Sequence, residues 1–382
     1  GAFLLAVLVG LGVAERSAQH VAAQAAKAAA QAPIFEVDPM WPKPLPNGWI
    51  IGSAIGVSVD AQDNIWIVHR PDAVQDNERA AALKPPTASC CTPAPPVLKF
   101  DQQGNLLASW GGPGQGYEWP QSNHGITIDY KGNVWIAANG GKDGEVLKFT
   151  PEGKFLLQIG KQGQVGSNND TSTLDRPTAT FVDPKTNEVY ITDGEVGGSH
   201  RRVIVFDADT GAYKRHWGAY GEKPGADPGA YDPNAAPSRQ FRDVTCVDIA
   251  KDGTVYVCDR TSNRIQAFSK DGKFLKEGIV SKNTLGAVVT GQFGAVSSFG
   301  SAWDVAFSSD AQQRFLFVAN GQDKRVEVLQ RDTLAKVGTI GEGGRQAGRF
   351  LAVGSIAVDS KGNLYTGEQH HGKRVQKFVA GR

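Results

Sequence analysis

Four cysteines and seven histidines carry the chemistry that depends most on spacing in this chain. Cys90 and Cys91 are adjacent, while Cys246 and Cys258 stand twelve positions apart. Neither spacing is a CxxC pair, so the cysteines do not build a zinc knuckle. Adjacent cysteines can close a vicinal disulfide, and disulfides are the natural reading in an oxidising compartment. The histidines are His20, His69, His124, His200, His216, His370 and His371. No Ser-His-Asp triad can be read from them, because sequence distance does not report proximity. The glycine-rich run Gly111–Gly116 follows a strand pattern instead of opening a helix, so it is not a phosphate loop.

Composition narrows the partners. Lys and Arg total 40 against 39 Asp and Glu, a formal net charge of +1. That balance gives no electrostatic drive toward nucleic acid or an anionic membrane. Hydrophobic residues make up 40% and charged residues 21%, enough apolar material for a core and too much for global disorder. With 46 Gly and 20 Pro, the chain is rich in turn formers.

The elements that position these side chains come from an internal repeat. One phrase recurs: a short alternating strand ending in Val-Asp or its equivalent, a polar turn, then a strand rich in Val, Ile, Trp and Tyr. Its copies are Gly56–Val68, Gly125–Ala137, Ala179–Thr192, Val244–Cys258, Asp304–Ala319 and Ser355–Gly367. Third strands follow, such as VLKF at Val97–Phe100 and Val146–Phe149. Apolar alternation with Gly, Asn and Asp at the turns marks antiparallel hairpins, and the Asp before each turn can cap the turn amides. Six copies predict an all-β, six-bladed β-propeller. The sixth lacks an outer strand, which Pro33–Val37 can supply, closing the ring and removing open sheet edges. Cys246 and Cys258 then fall on paired strands of one hairpin, where a cross-strand disulfide is expected.

Residues 1–32 read differently. Ala2–Ala14 is an apolar run of signal-peptide length with small residues before Glu15, and Ser17–Ala32 is an alanine-rich helical segment. This predicts export to a periplasmic or extracellular location, with a membrane anchor as the alternative if the leader is retained. The propeller is expected over 33–382.

Blade topology also sorts the loops. Those joining second to third strands, and those linking blades, share one face. The long insertions Pro71–Pro96, Gly218–Gln240 and Ser281–Phe299 all belong to these classes. A loop-rich face on a rigid scaffold is the expected binding surface.

The phrases HRPD (His69–Asp72), NHGITID (Asn123–Asp129) and CDRTSNRIQ (Cys258–Gln266) make the chain resemble bacterial relatives of peptidyl-α-hydroxyglycine α-amidating lyase, NHL-repeat propellers of six blades. The resemblance implies one zinc held by three histidines, each opening the inner strand of an alternate blade. His124 matches the first. The second position holds Thr245, or Arg242 if the alignment slips, and the third holds Gly354. The family's tyrosine position is Glu195, in Thr192–Glu195, and its two substrate arginines are matched by Arg70 and Arg260. Zinc is therefore not expected on His124 alone, while the resemblance leaves room for a structural calcium in the axial channel. The expected function is a lyase-like module that binds an anionic small molecule, a peptide or a protein through Arg70, Arg260 and Glu195. The alternative is a lyase with a rearranged metal site of His124, Glu195 and His69.

Overall fold

Each repeat folds into a four-stranded antiparallel sheet in the computed structural model, which describes residues 32–195, 197–284, 289–291, 294–296 and 299–381. The inner strands are Ser53–Val59, Asn123–Ile128, Pro177–Asp183, Val244–Ile249, Asp304–Phe307 and Val353–Val358. Each packs on the next, and the last packs on the first. Blade six takes its outer strand from Phe35–Asp38, which pairs antiparallel with Val375–Ala380 from Phe35 opposite Ala380 to Asp38 opposite Lys377. The first and last described strands thus share a sheet, so unfolding either end opens the ring.

The core lies between the blades. Six apolar clusters fill the six interfaces, for example Ile55, Trp66, Val68 and Leu147 between blades one and two. Each fully buried Ile, Leu or Phe contributes about 1.5–3 kcal/mol. The recurrent Asp–turn–aromatic pattern has a physical cause. The Trp66 indole donates to Asp60 (2.9 Å), Trp135 to Asp129 (3.0 Å) and the Tyr365 hydroxyl to Asp359 (3.1 Å). The same carboxylates accept turn amides, from Asn64, Asn133 and Asn363.

Blade four departs from the expected pattern. Its Val-Asp dipeptide matches the phrase, but Ala250 opens the turn and Asp248, two residues earlier, lines the axial channel. Asp252 caps this turn instead, through the Thr254 amide.

Both cysteine pairs form disulfides. Cys246 and Cys258 lie directly opposite across the blade-four hairpin with Cα atoms 4.9 Å apart, and Cys90 bonds to Cys91 in the 71–96 insertion. That insertion is tied down by a short parallel pairing of Thr92–Pro93 with Trp49–Ile50. The expected leader, residues 1–32, lies outside the described residues except for Ala32. Among the described residues no helix is long and apolar enough to cross a membrane.

Candidate functional site

Five of the six inner strands begin with a break in register, skipping Ile55, His124–Gly125, Thr178, Thr245 and Gly354 respectively. A bulge leaves its residue out of the ladder and re-aims the side chain. Here it turns one residue per blade toward the axis, where His124, Thr178, Thr245 and Gly354 line one channel of 360 Å³ with Trp303 of blade five.

These axial side chains latch each blade to the next. His124 Nδ1 lies 2.8 Å from the Thr178 carbonyl, so its proton sits on Nδ1 and donates there. The Thr178 hydroxyl donates to the Val244 carbonyl (2.7 Å) and the Thr245 hydroxyl to the Ala302 carbonyl (3.2 Å). Burial pushes the His124 pKa down to about 4, so the ring is neutral and its Nε2 lone pair is buried without a partner.

The other two positions expected for zinc ligands supply no donor. Thr245 spends its hydroxyl on blade five. At Gly354 a β-carbon would lie 2.6 Å from Cγ of Gln369, whose buried side chain fills the space an imidazole would need. Arg242 points away from the axis, toward Gly229, Ala230 and Ser262. His69 does not reach the cleft either: Nδ1 accepts from the Gly52 amide (3.2 Å) and Nε2 donates to the Pro95 carbonyl (3.0 Å) in a fully buried setting. Among the described residues no three His, Cys, Asp or Glu side chains gather closely enough to share an ion. Zinc needs three protein ligands in a catalytic site, and this donor set does not fit it.

Arg260, Glu195 and Arg70 do come together at the mouth of the channel. Arg260 is almost fully buried and forked, Nε to Asp243 (2.7 Å) and Nη2 to Glu195 (2.8 Å). The second oxygen of Glu195 accepts from the Asn139 amide, and Asn139 in turn accepts from Nη2 of Arg70 (2.8 Å). Burial works to raise the Glu195 pKa, but Arg260 first, then the Asn139 amide and Arg70, hold it below the ordinary carboxylate range. Complete burial pushes Asp243 up, with Glu195 adding to the rise. Arg70 also donates from Nε to the Asn123 carbonyl (3.0 Å), leaving Nη1 with no partner among the described residues. Gly194 sets the position of Glu195: its φ is +124°, and a side chain there would collide with the His200 carbonyl.

Aromatic rings roof this network. Arg260 lies over Trp303 (5.0 Å) and Phe299 (5.5 Å), and His370 stacks on Phe299 at 5.2 Å. Residues of blades three, four and five and of the insertion ending at Phe299 therefore converge on one guanidinium.

Asp248 and Asp304 line the channel as well. Their described partners are backbone amides: Ile249 for Asp248, Val305 and Ile356 for Asp304. Burial pushes Asp304 up to about 7, and burial with the charge of Asp304 pushes Asp248 up to about 8. Two carboxylates facing one channel with no cationic partner among the described residues are oxygen donors of the kind a hard divalent ion such as calcium takes, though they supply only two of the roughly six to eight it needs.

No family model matches the chain. NHL repeat-containing protein 3 of Mus musculus is 23% identical over 364 residues, 91% of this chain and 84% of that protein. Peptidylglycine alpha-amidating monooxygenase of Rattus norvegicus is 27% identical over 238 residues, 59% of this chain and 22% of that protein. The chain is a six-bladed propeller similar in sequence to NHL-repeat proteins and to the amidating enzymes. It spans less than a quarter of the amidating enzyme's length. A streptogramin B lyase superposes with a TM-score of 0.51 at 10% identity, covering 91% of the chain and 98% of that structure. A gluconolactonase of Xanthomonas campestris gives 0.53 at 12%, covering 93% of each. At such identity both speak for the fold alone.

Sequence reasoning missed several members of the propeller's cleft: Asp243, Asn139, Gln369 and the Phe299–Trp303 roof. Asn139 meets its partners 56 and 69 positions away in other blades, and Asp243 meets Arg260 17 positions away across the blade-four hairpin, so no local pattern marks them. One signal was available. His69 and Arg70 are consecutive in a strand, so an Arg70 turned to the cleft requires His69 to turn away.

Proposed function

We propose that the protein is an exported, lyase-like NHL propeller that binds an anionic group, a small-molecule or peptide carboxylate, at the axial mouth of its loop-rich face. The observation that carries this reading is Arg70. Its guanidinium is held rigidly from two sides while Nη1 stays uncommitted at the mouth. A planar fork fixed in this way is suited to carboxylate recognition. Arg260 and Glu195 organise the mouth and place the roof. His124 offers a neutral acceptor, Nε2, to a ligand hydroxyl or amide. The residues at Thr245 and Gly354 favour binding over zinc-dependent lyase chemistry. Both disulfides are compatible with export.

Calorimetric titration with short peptides tests it. A peptide with a free C-terminal carboxylate is expected to bind, and its C-terminal amide to bind at least about tenfold more weakly, the value of one charged hydrogen bond. Arg70→Ala should erase the difference. Equal binding of the two peptide forms to the unaltered protein would sink the proposal.

In the same reading, Asp248 and Asp304 hold calcium, which would neutralise their repulsion and brace blades four and five. Both carboxylates have folded pKa values above the ordinary 3.8, so without calcium stability falls as pH rises from about 4 toward 8. Calcium at about a hundredfold over its Kd adds about 2.7 kcal/mol, a rise in Tm on the order of 5 °C. The increment should grow as pH rises through the same window and vanish in Asp248→Asn. Identical melting curves with calcium and with EDTA, at about pH 6 and about pH 8.5, would refute the site.

A further inference from the structure

A second cavity, of 280 Å³, lies outside the axis, under the insertion that links blades three and four. Its walls are apolar, from Pro233, Ala235, Pro237 and Ile279, and its cationic side is Arg242 and Lys282. Arg242 and Asp243 are neighbours in sequence but serve opposite sides: Asp243 holds Arg260 at the cleft, while Arg242 faces this cavity.

Among the described residues no carboxylate forms an ion pair with Arg242, although Asp259 and Asp227 lie near enough to attract it. Its three bonds go to the Gly229 carbonyl (2.9 Å), the Ala230 carbonyl (3.3 Å) and the Ser262 hydroxyl (3.1 Å). A guanidinium has five N–H donors, so two remain. Among the described residues Lys282 forms no ion pair, and its backbone carbonyl accepts from the Tyr231 hydroxyl (2.9 Å), which pins the loop over the pocket. Arg264, beneath, is neutralised by Asp259 at 2.9 Å. Asp232 at the lip caps the Asn234 amide through Oδ1 (2.8 Å). The lining carries Arg242, Arg264 and Lys282 against Asp232, and Arg242 and Lys282, which form no ion pair among the described residues, stand beside apolar walls.

We infer that this cavity is a second ligand site, for a monocarboxylate with an apolar body. The carboxylate meets Arg242 and Lys282, and the hydrocarbon fills the space under the prolines. This combination recognises neither a bare anion nor a neutral hydrocarbon well, since the first leaves the walls wet and the second leaves the cations unanswered.

Calorimetry with octanoate, octanol and acetate tests the inference. Octanoate is expected to bind saturably, with octanol and acetate each at least about tenfold weaker. Lys282→Glu, an exposed charge reversal that spares the fold, should weaken octanoate by about tenfold or more, as should Arg242→Gln. Because the axial mouth is itself proposed to take carboxylates through Arg70, all titrations are run in the Arg70→Ala background, where octanoate is expected to keep its saturable binding to this second site. Absence of saturable octanoate binding in that background would overturn the inference, as would unchanged affinity in Lys282→Glu. Octanoate binding by the unaltered protein that is lost in Arg70→Ala would also overturn it, by assigning the binding to the axial cleft.

Discussion

Replacing Arg260 with methionine is expected to lower the free energy of unfolding by about 3–5 kcal/mol, the cost of leaving buried charge without its partner. Arg260 is 3% exposed and stands between two carboxylates, Asp243 at 2.7 Å and Glu195 at 2.8 Å. Methionine keeps most of the aliphatic stem under Trp303 and Phe299, so the loss is electrostatic and not a matter of packing. In the variant both acids lose the charge that stabilises their ionised forms, and their folded pKa values rise. A raised carboxylate pKa favours the folded state at low pH, so the deficit should grow as pH increases from about 5 to about 8. Asp243→Asn in the same background should recover about 1–3 kcal/mol by removing one orphaned charge. Urea denaturation at the two pH values checks each point. A loss under about 1 kcal/mol would show that Arg260 is not committed to the scaffold and is free to meet a ligand. The expected large loss has a functional meaning: Arg260 fixes the roof and Glu195, and the cation left for a ligand is Arg70.

The fold was legible because all six blades repeat one local rule and three of them, blades one, two and six, repeat a second. Alternation sends one set of side chains into the interblade clusters, and an Asp six residues before a Trp or Tyr ties turn to core, as at Asp60–Trp66 and Asp129–Trp135. In blade four the second rule misled. Asp248 sits in a Val-Asp pair like the others, but the turn in blade four begins two residues later, so its carboxylate lines the channel. Side chains on the axis were legible only in part. Inner-strand starts are equivalent in every repeat, which places His124, Thr245 and Gly354 on one channel. What surrounds them comes from other blades and from insertions without periodicity. Gln369 lies across Gly354 from the end of the blade-six second strand, and Phe299 reaches Arg260 from the link between blades four and five. Such contacts depend on how far a loop reaches, and reach is not written in hydrophobic pattern.

Putting imidazoles at Thr245 and Gly354, with Gln369 shortened to alanine, is expected to turn the channel mouth into a zinc site. The design follows from the bulges. All three positions drop out of the ladder at the same point of alternate inner strands, so three side chains there converge on one centre. At blade four a histidine can use Nδ1 for the Ala302 carbonyl that Thr245 now holds, as His124 uses its own for Thr178. That leaves Nε2 turned inward, the state a metal-binding imidazole requires. At blade six the obstacle is Gln369, and its truncation frees the volume the new ring needs. The triple variant should bind one zinc at least about a thousandfold more tightly than the unaltered chain, a gain on the order of 4 kcal/mol from two added ligands. Competition against a chromophoric chelator measures the difference, and His124→Ala in the same background should return affinity to its starting level. A triple variant that still melts cooperatively but holds zinc no better would mean that the alternate-blade starts do not converge. The case against zinc chemistry at Thr245 and Gly354 would then lose its geometric basis, since it assumes that these positions are where the missing ligands would have to stand.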